Sequence, residues 1–131
     1  MTIQNTFNDF LIRIKNTQKT KKTYCIVPTT NLIIGTLNLL YEEGFINGFY
    51  KDKKYVKIFL KYKTSGEPTI QTILMISKPG IPKYISIQRL KTLEKKNKNL
   101  GLMILTTSQG ILSPKKAIQK NIGGQLLYQI F

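Results

Sequence analysis

The sequence predicts an α+β protein made of two small subdomains. Two early segments carry apolar residues at helical spacing, and the segments after them alternate apolar and polar residues as strands do. The stretch Ser77–Gly80, with its Pro-Gly turn signal, interrupts this pattern, and shorter apolar runs follow it. We therefore expect an N-terminal helix–strand–helix–β-meander over residues 1–76 and a C-terminal, mostly β unit with a short helix over 77–131.

The first helix is indicated by a single apolar stripe, with Asn5 as the candidate N-cap. The stripe consists of Phe7, Phe10, Leu11 and Ile14. Basic residues gather at the C-terminal end of this helix and in the loop after it. That placement suits the helix dipole, and it would equally present a basic arm.

A short strand over 23–27, ended by Pro28, leads into the second helix. Thr29 or Thr30 caps this helix and Gly44 follows its last turn. Its expected buried side consists of Leu32, Ile33, Leu37, Leu40 and Tyr41. Strands over 45–51, 55–62 and 69–76 would complete the meander.

The C-terminal subdomain begins with a short extended piece over 83–87. The lysine-rich segment 88–99 has no clear helix or strand pattern, although Leu90 and Leu93 have the spacing of one helical turn. We expect this segment to become ordered on binding. A strand over 101–107 turns at 108–110, and Ser113 and Pro114 then open a short helix as cap and first residue. Gly123 and Gly124 lead into the final strand.

The charge of the chain points to a polyanionic partner. Its 131 residues include 21 Lys plus Arg against 6 Asp plus Glu, a net charge of +15. A folded chain with this charge repels itself, and nucleic acid or an anionic membrane is the usual reason to tolerate it. All the basic residues except Arg13 and Arg89 are lysines, which suit phosphate contact more than base reading.

The residues of most catalytic and metal sites are missing from the sequence. There is no histidine and only one cysteine. We therefore expect no metal site and no cofactor, and we expect neither enzymatic activity nor a small-molecule substrate. Cys25 lies in an apolar run and reads as a small buried hydrophobe. No apolar run approaches the roughly 20 residues that span a membrane, and the N-terminus is not a secretory signal.

Two small polar elements carry the remaining chemistry. The stretch LTTSQG, Leu105 to Gly110, offers three hydroxyls and a glycine that would suit RNA 2′-hydroxyls and base edges in a shallow minor groove. Taken alone, such a Ser/Thr-rich stretch is more often an ordinary turn. Gly123, Gly124 and Gln125 form either a tight turn or a close approach to a partner. Tyr84 either stacks on a base or is half-buried core.

Taken together, these stretches resemble the bacterial-type ribosomal small-subunit protein S-eight family. The strongest match is GLMILTTSQGILSPKKA, residues 101–117. FNDFLIRIKN and VPTTNLIIGTLNLLYEEGFI are similar to the family's first two helices, ISKPGIPKY to its linker, and IGGQLL to its closing strand. The matches occur in the family's order and extend over essentially the whole chain.

The resemblance implies a structural RNA-binding protein with two α+β subdomains. Family members bind the central domain of small-subunit rRNA early in assembly, beside neighbouring small-subunit proteins. The resemblance places the groove contacts on the Thr-Ser loop, the closing glycine stretch near the same RNA, and phosphate contacts on the basic end of the first helix. It also matches Tyr84 to the family tyrosine after the linker, and added lysines nearby would replace charge that is lost elsewhere. These expected rRNA-binding residues are Thr106, Thr107, Ser108, Gly110, Gly123, Gly124, Gln125, Tyr84, Lys83, Lys115, Lys116, Arg13, Lys15 and Asn16.

Some positions depart from the family pattern. Gln109 stands where a basic residue is usual, Gln125 replaces the family glutamate, and Pro82 and Ile118 stand where basic residues are frequent. The abundance of Lys, Asn, Ile and Thr is typical of an AT-rich genome. We therefore expect a mitochondrial ribosome and an organelle-encoded or already processed chain, with a plastid or a bacterial cytoplasm as the alternatives.

Two other functions fit the composition. A free-standing, sequence-blind RNA-binding module would show similar affinity for any RNA and a steep salt dependence. A membrane-surface protein would use basic amphipathic helices, and co-sedimentation with vesicles would detect it. The resemblance favours the ribosomal function over both, and we expect no membrane partner.

Overall fold

The two N-terminal helices form around their apolar faces. In this computed structural model, which describes residues 3–77, 80–96 and 101–131, with side chains from Phe7 onward, α1 spans Ile3–Lys19 and α2 spans Asn31–Glu42. All four stripe residues of α1 are buried. Thr30 is the N-cap of α2, and its hydroxyl accepts a hydrogen bond from the Ile33 backbone N–H at 3.2 Å. The candidate cap Asn5 falls outside the described side chains.

A three-stranded antiparallel sheet completes the first unit. Its strands are β1, Tyr24–Pro28, β2, Ile46–Lys51, and β3, Tyr55–Leu60, in the order β1-β3-β2. Alternation along the strands turns one face inward, where Cys25, Val56 and Ile58 are buried. Burial raises the pKa of the Cys25 thiol, as befits a core side chain. The other face carries tyrosines and remains exposed.

The second unit is a sheet covered by two helices. In chain order it contains β4, Ile73–Met75; β5, Tyr84–Ile85; α3, Ile87–Lys96; β6, Leu102–Thr107; β7, Gly110–Leu112; α4, Pro114–Gln119; and β8, Gly124–Ile130. The strand order is β4-β8-β6-β7, and β5 also pairs with β8. A core of Ile85, Leu90, Leu105, Leu112 and Ala117 joins this sheet to α3 and α4. The protein therefore has the predicted α+β class.

The pairing of β4 differs from the sequence expectation. We expected residues 69–76 to close the first meander, but Ile73–Met75 pairs antiparallel with β8, with Leu74 opposite Gln129. The division between the two compact units accordingly lies between Gln71 and Thr72, whereas we placed the boundary after residue 76. Strand pairing depends on partners far along the chain, and β8 supplies the backbone groups that β4 needs.

The lysine-rich segment is also more ordered than expected. Residues 87–96 form α3, where we expected an ill-defined loop with one helical turn. Leu90 is fully buried in the second core, and the Ser86 hydroxyl accepts a hydrogen bond from the Arg89 N–H at 3.3 Å, as an N-cap does. Residues 97–99 of the expected loop and the first half of the Pro79-Gly80 turn lie outside the described residues.

One residue of α2 faces away from the core, contrary to expectation. Tyr41 is 52% exposed, and Leu39 is buried in the same helix. No helix within the described residues is both long and apolar enough to cross a membrane.

Candidate nucleic-acid interface

The hairpin between β6 and β7 holds the Thr-Ser loop in a defined shape. Thr107 pairs with Gly110, which leaves Ser108 and Gln109 as the two turn residues. The Thr107 hydroxyl donates to the Gly110 carbonyl at 2.9 Å and accepts from the Gln109 N–H at 3.1 Å. Gly110 has φ of +99°, a conformation that favours glycine. Thr107 therefore shapes the turn, and Ser108 is exposed at its tip.

The strand register aligns three predicted site residues, Tyr84, Gln125 and Thr106, in one row, which we call the Tyr84 row. Gln125 of β8 lies opposite Tyr84 of β5 on one side and opposite Thr106 of β6 on the other. Directly opposed residues in antiparallel strands point to the same face of a sheet. Their neighbours Ile85 and Leu105 point into the core under α3 and α4, so the row lies on the face away from those helices.

Tyr84 is the most exposed side chain of this row. It is 73% exposed, whereas Gln125 and Thr106 are half-buried. Of the two readings that the sequence allowed for Tyr84, a half-buried core residue is therefore excluded. An exposed ring beside an amide and a hydroxyl offers one stacking surface and several hydrogen-bonding groups on one face.

The glycine pair is explained by close packing of backbones. A Cβ atom built on Gly123 would lie 2.5 Å from the Ile85 carbonyl oxygen, and one built on Gly124 would lie 2.5 Å from that of Thr106. Neither distance is tolerable for a side chain. These two glycines therefore let β8 approach β5 and β6 closely, and this approach brings Gln125 between Tyr84 and Thr106.

The predicted lysines of the second unit lie in two places. Lys83 is exposed next to β5, and its carbonyl accepts from the Leu126 N–H at 2.9 Å. Lys115 is exposed on α4, and the Lys116 side chain is half-buried there. Ser113 caps this helix and Pro114 is its first residue, as predicted. Since α4 packs on the inner face through Ala117, its lysines lie on the opposite side of the sheet from the Tyr84 row.

The predicted residues of the first unit lie at the exposed side of α1. The Arg13 Nη1 donates to the Ile26 carbonyl of β1 at 3.0 Å, so its guanidinium is partly engaged in holding the helix to the strand. Lys15 and Asn16 are both exposed. A groove of about 550 Å³ runs beside Arg13 and β1, and Lys21 and Lys22 contribute to its lining.

One surface of the first unit was not identified from the sequence. The outer face of the three-stranded sheet exposes Tyr24, Tyr50, Tyr55 and Phe59 around Lys57. The signal was present in YVKIFLKY, where the outward residues alternate with the buried Val56, Ile58 and Leu60. The alternation predicts the strand, and the same alternation places these aromatic residues together on its outward face.

These features define a class of protein. It is a strongly basic α+β chain of two units, with exposed polar and aromatic sheet surfaces. Within residues 3–77, 80–96 and 101–131, no three His, Cys, Asp or Glu side chains come together as a metal site would require. The charge and the exposed surfaces are typical of proteins that bind a polyanionic partner.

Comparison with known proteins identifies the family. The model of ribosomal protein S8 matches residues 5–131. The small ribosomal subunit protein uS8 of Acidiphilium cryptum (strain JF-5) is 37% identical over 128 residues, covering 94% of this chain and 95% of that protein. The uS8 proteins of Streptococcus pneumoniae serotype 19F (strain G54) and Streptococcus suis (strain 05ZYH33) are 35% and 34% identical over 135 positions, covering all of both chains.

The chain belongs to the ribosomal protein S8 family, which confirms the resemblance inferred from its sequence. Its role is that of a structural ribosomal protein, in a family that is not one of enzymes.

Proposed function

We propose that this protein is a structural constituent of the small ribosomal subunit and binds the central domain of small-subunit rRNA directly. The observation that carries the proposal is the row formed by the exposed Tyr84 and the half-buried Gln125 and Thr106, which ends beside the turn at Ser108. The names of the relatives support the subunit, since they are small ribosomal subunit proteins. Binding of this kind would support assembly of the platform.

The row and the turn suit the minor groove of an irregular RNA helix. That groove is wide and shallow and displays 2′-hydroxyls and base edges. Ser108 and Thr106 offer hydroxyls, Gln125 offers an amide, and Tyr84 offers a ring for an unpaired base. Lys83 is exposed next to Tyr84 and would contact a phosphate.

Ser108→Ala tests the turn. We expect binding of a folded central-domain stem to weaken by about 1–3 kcal/mol, because a contact hydroxyl is removed and its RNA partner is left unsatisfied. A filter-binding titration measures this effect, and Thr64→Ala, at an exposed threonine of the first unit, is the matched control. Equal binding by the Ser108→Ala variant and the wild type would show that the turn does not contact the RNA.

Thr107→Ala separates the shape of the turn from contact with RNA. The Thr107 hydroxyl makes two hydrogen bonds inside the turn, so we expect its removal to lower the free energy of unfolding by about 0.5–1.5 kcal/mol. Ser108→Ala should change that free energy by less than about 0.5 kcal/mol, as exposed substitutions usually do. Urea denaturation of both variants measures the difference.

Gln109→Lys restores the charge that is usual in the family at this position. Gln109 is exposed in the turn, so we expect a lysine there to strengthen stem binding and to make its salt dependence steeper by about one unit of slope. The same titration, repeated at several salt concentrations, measures both quantities.

A comparison of stems distinguishes ribosomal recognition from sequence-blind binding. We expect the central-domain stem to bind at least about 1,000-fold more tightly than an unrelated stem of equal length. Similar affinities for both stems would favour the free-standing module.

Co-sedimentation with the small subunit from the native source tests membership in the particle. The same fractionation tests the mitochondrial location, which the composition suggests and for which the bacterial relatives offer no support.

A further inference from the structure

The outer face of the first sheet combines exposed aromatic rings with a central cation. Its rows run across three strands: Tyr24 lies opposite Phe59, and Lys57 lies between Ile26 and Tyr50. Tyr50 is 67% exposed, Tyr55 55% and Tyr24 45%. The inward residues of the same strands form the core with α1 and α2, so the rings belong to the opposite face. Five outward residues, namely Tyr24, Tyr50, Tyr55, Lys57 and Phe59, make up what we call the aromatic face.

Lys57 places a positive charge in the middle of these rings. Its Nζ lies 4.2 Å from the centroid of the Tyr24 ring and 5.5 Å from that of Phe59, within the range of cation–π attraction. These contacts hold Lys57, Tyr24 and Phe59 together before any partner binds. Tyr50 and Tyr55 are the most exposed rings, and they remain available for stacking.

Cations also flank the aromatic face on two sides. The turn between β2 and β3 exposes Lys53 and Lys54 beside Tyr55, with Asp52 as the carboxylate of the same turn. Along β1, the groove lined by Arg13, Lys21 and Lys22 also reaches Tyr24 and Ile26. A strand of phosphates that crossed the face would therefore meet positive charge where it enters and where it leaves.

We propose that the aromatic face binds single-stranded RNA by stacking bases on Tyr50 and Tyr55. Stacking requires base faces that are not already covered, and a duplex does not offer them. A protein partner is less well matched, because charged residues are depleted at the centre of protein interfaces and Lys57 stands at the centre of this face. The site lies in a different unit from the Tyr84 row, and it does not depend on the function proposed for that row.

Substitution of Tyr50 tests stacking directly. Binding of a labelled oligouridylate of about 12 nucleotides, measured by fluorescence anisotropy, should weaken roughly 5- to 150-fold in Tyr50→Ala. Tyr50→Phe should keep the affinity and Tyr50→Leu should lose it, because leucine preserves apolar area without an aromatic ring. Tyr41→Ala, at a tyrosine on α2 that is 52% exposed, is the matched control and should not change the affinity. Full affinity in Tyr50→Leu would overturn the stacking proposal.

Two further measurements keep the test independent of any folding defect in the variants. Ultraviolet cross-linking of wild-type protein to 5-iodouridine-substituted oligouridylate should modify Tyr24, Tyr50 or Tyr55, as mapped by mass spectrometry. Cross-links confined to the peptide of Tyr84 would overturn the proposal and assign the binding to the other unit. A Kd for wild-type protein weaker than ~100 µM at physiological salt would also overturn it, and a protein partner would then be the better occupant of the face.

The oligouridylate result also separates this site from the proposed rRNA surface. The loss caused by Tyr50→Ala should be the same in a Tyr84→Ala background, while binding of the central-domain stem should respond to Ser108→Ala and not to Tyr50→Ala. If the Tyr50 effect disappears in the Tyr84→Ala background, the two residues serve one site and the proposal of a separate face fails.

Discussion

At the scale of single residues, the polar positions that looked alike in the sequence have different roles. The hydroxyls of Thr107 and Ser108 are adjacent, yet only that of Thr107 is engaged in hydrogen bonds that shape its own turn, while Ser108 is exposed at the tip. The residue types could be identified from the sequence. Their division into turn-forming and contact positions could not, because it depends on the hairpin register that pairs Thr107 with Gly110.

The glycines provide a prediction at the same scale. Gly124 is required by the nearby Thr106 carbonyl, and Gly110 is required by its φ of +99° in otherwise open space. We expect Gly124→Ala to lower the free energy of unfolding by about 1–3 kcal/mol through overpacking. Gly110→Ala should lower it by about 1–2 kcal/mol through backbone strain. Urea denaturation measures both changes.

Substitution by asparagine distinguishes backbone strain at Gly110 from overpacking at Gly124. It tolerates the left-handed region better than alanine, so Gly110→Asn should be less destabilising than Gly110→Ala. At Gly124 the larger side chain should be worse than alanine, because space is the constraint there. The same order of effects at both positions would contradict one of the two explanations.

At the scale of elements, local signals identified the helices that carry their own caps. Ser113 and one of the pair Thr29 and Thr30 were expected as caps, and Ser113 and Thr30 accept the expected hydrogen bonds. The full length of α3 and the pairing of β4 were not predicted, because both depend on distant partners: Leu90 packs in the second core, and β4 pairs with β8. The residues of the Tyr84 row were predicted, but their alignment was not, because only the pairing of β5 with β8 places Tyr84 opposite Gln125.

Leu90 tests whether packing holds α3. A short, lysine-rich helix is marginal by itself, and most of its stability must come from the buried leucine. We expect Leu90→Ala to reduce the free energy of unfolding by about 2–5 kcal/mol and to speed amide exchange throughout α3. Lys91→Ala, exposed on the same helix, is the control and should change that free energy by less than about 0.5 kcal/mol. Fast exchange across α3 in the wild type would instead support the disordered loop.

The strand β8 carries a pH-dependent contribution at Tyr128. Burial raises the pKa of this phenol to about 12 from the ordinary value of 10.0. The stability that belongs to the neutral phenol is therefore complete below pH 10 and is lost as pH rises to about 12, because the unfolded chain ionises first. The loss should be on the order of 2 kcal/mol.

Tyr128→Phe removes the titrating group and so isolates this contribution. The difference in unfolding free energy between wild type and variant should be constant from neutral pH to about pH 9 and should change between about pH 10 and 12. Urea titrations across this range measure it, and Tyr50→Phe controls for general effects of alkali. A difference that stays constant up to pH 12 would contradict the raised pKa.

At the scale of the whole molecule, the net charge of +15 opposes folding of the free protein. Screening weakens this repulsion, since the Debye length falls from about 30 Å at 0.01 M salt to about 10 Å at 0.1 M. We expect the thermal midpoint of the RNA-free protein to rise by several degrees over that range of sodium chloride, which corresponds to about 1 kcal/mol. Calorimetry measures the shift.

A charge-reduced variant shows whether repulsion is the cause. Replacing Lys51, Lys53 and Lys54 by glutamine removes three exposed positive charges from the end of β2 and the turn after it. This variant should be more stable than the wild type at 0.01 M salt and should respond less to added chloride, because less repulsion remains to be screened. A wild-type midpoint that falls with salt would show that attractive charge pairs dominate instead.

Bound RNA relieves the same repulsion between the positive charges. The stabilisation by a saturating central-domain stem should therefore be largest at low salt, because the free protein is least stable there and the stem binds most tightly.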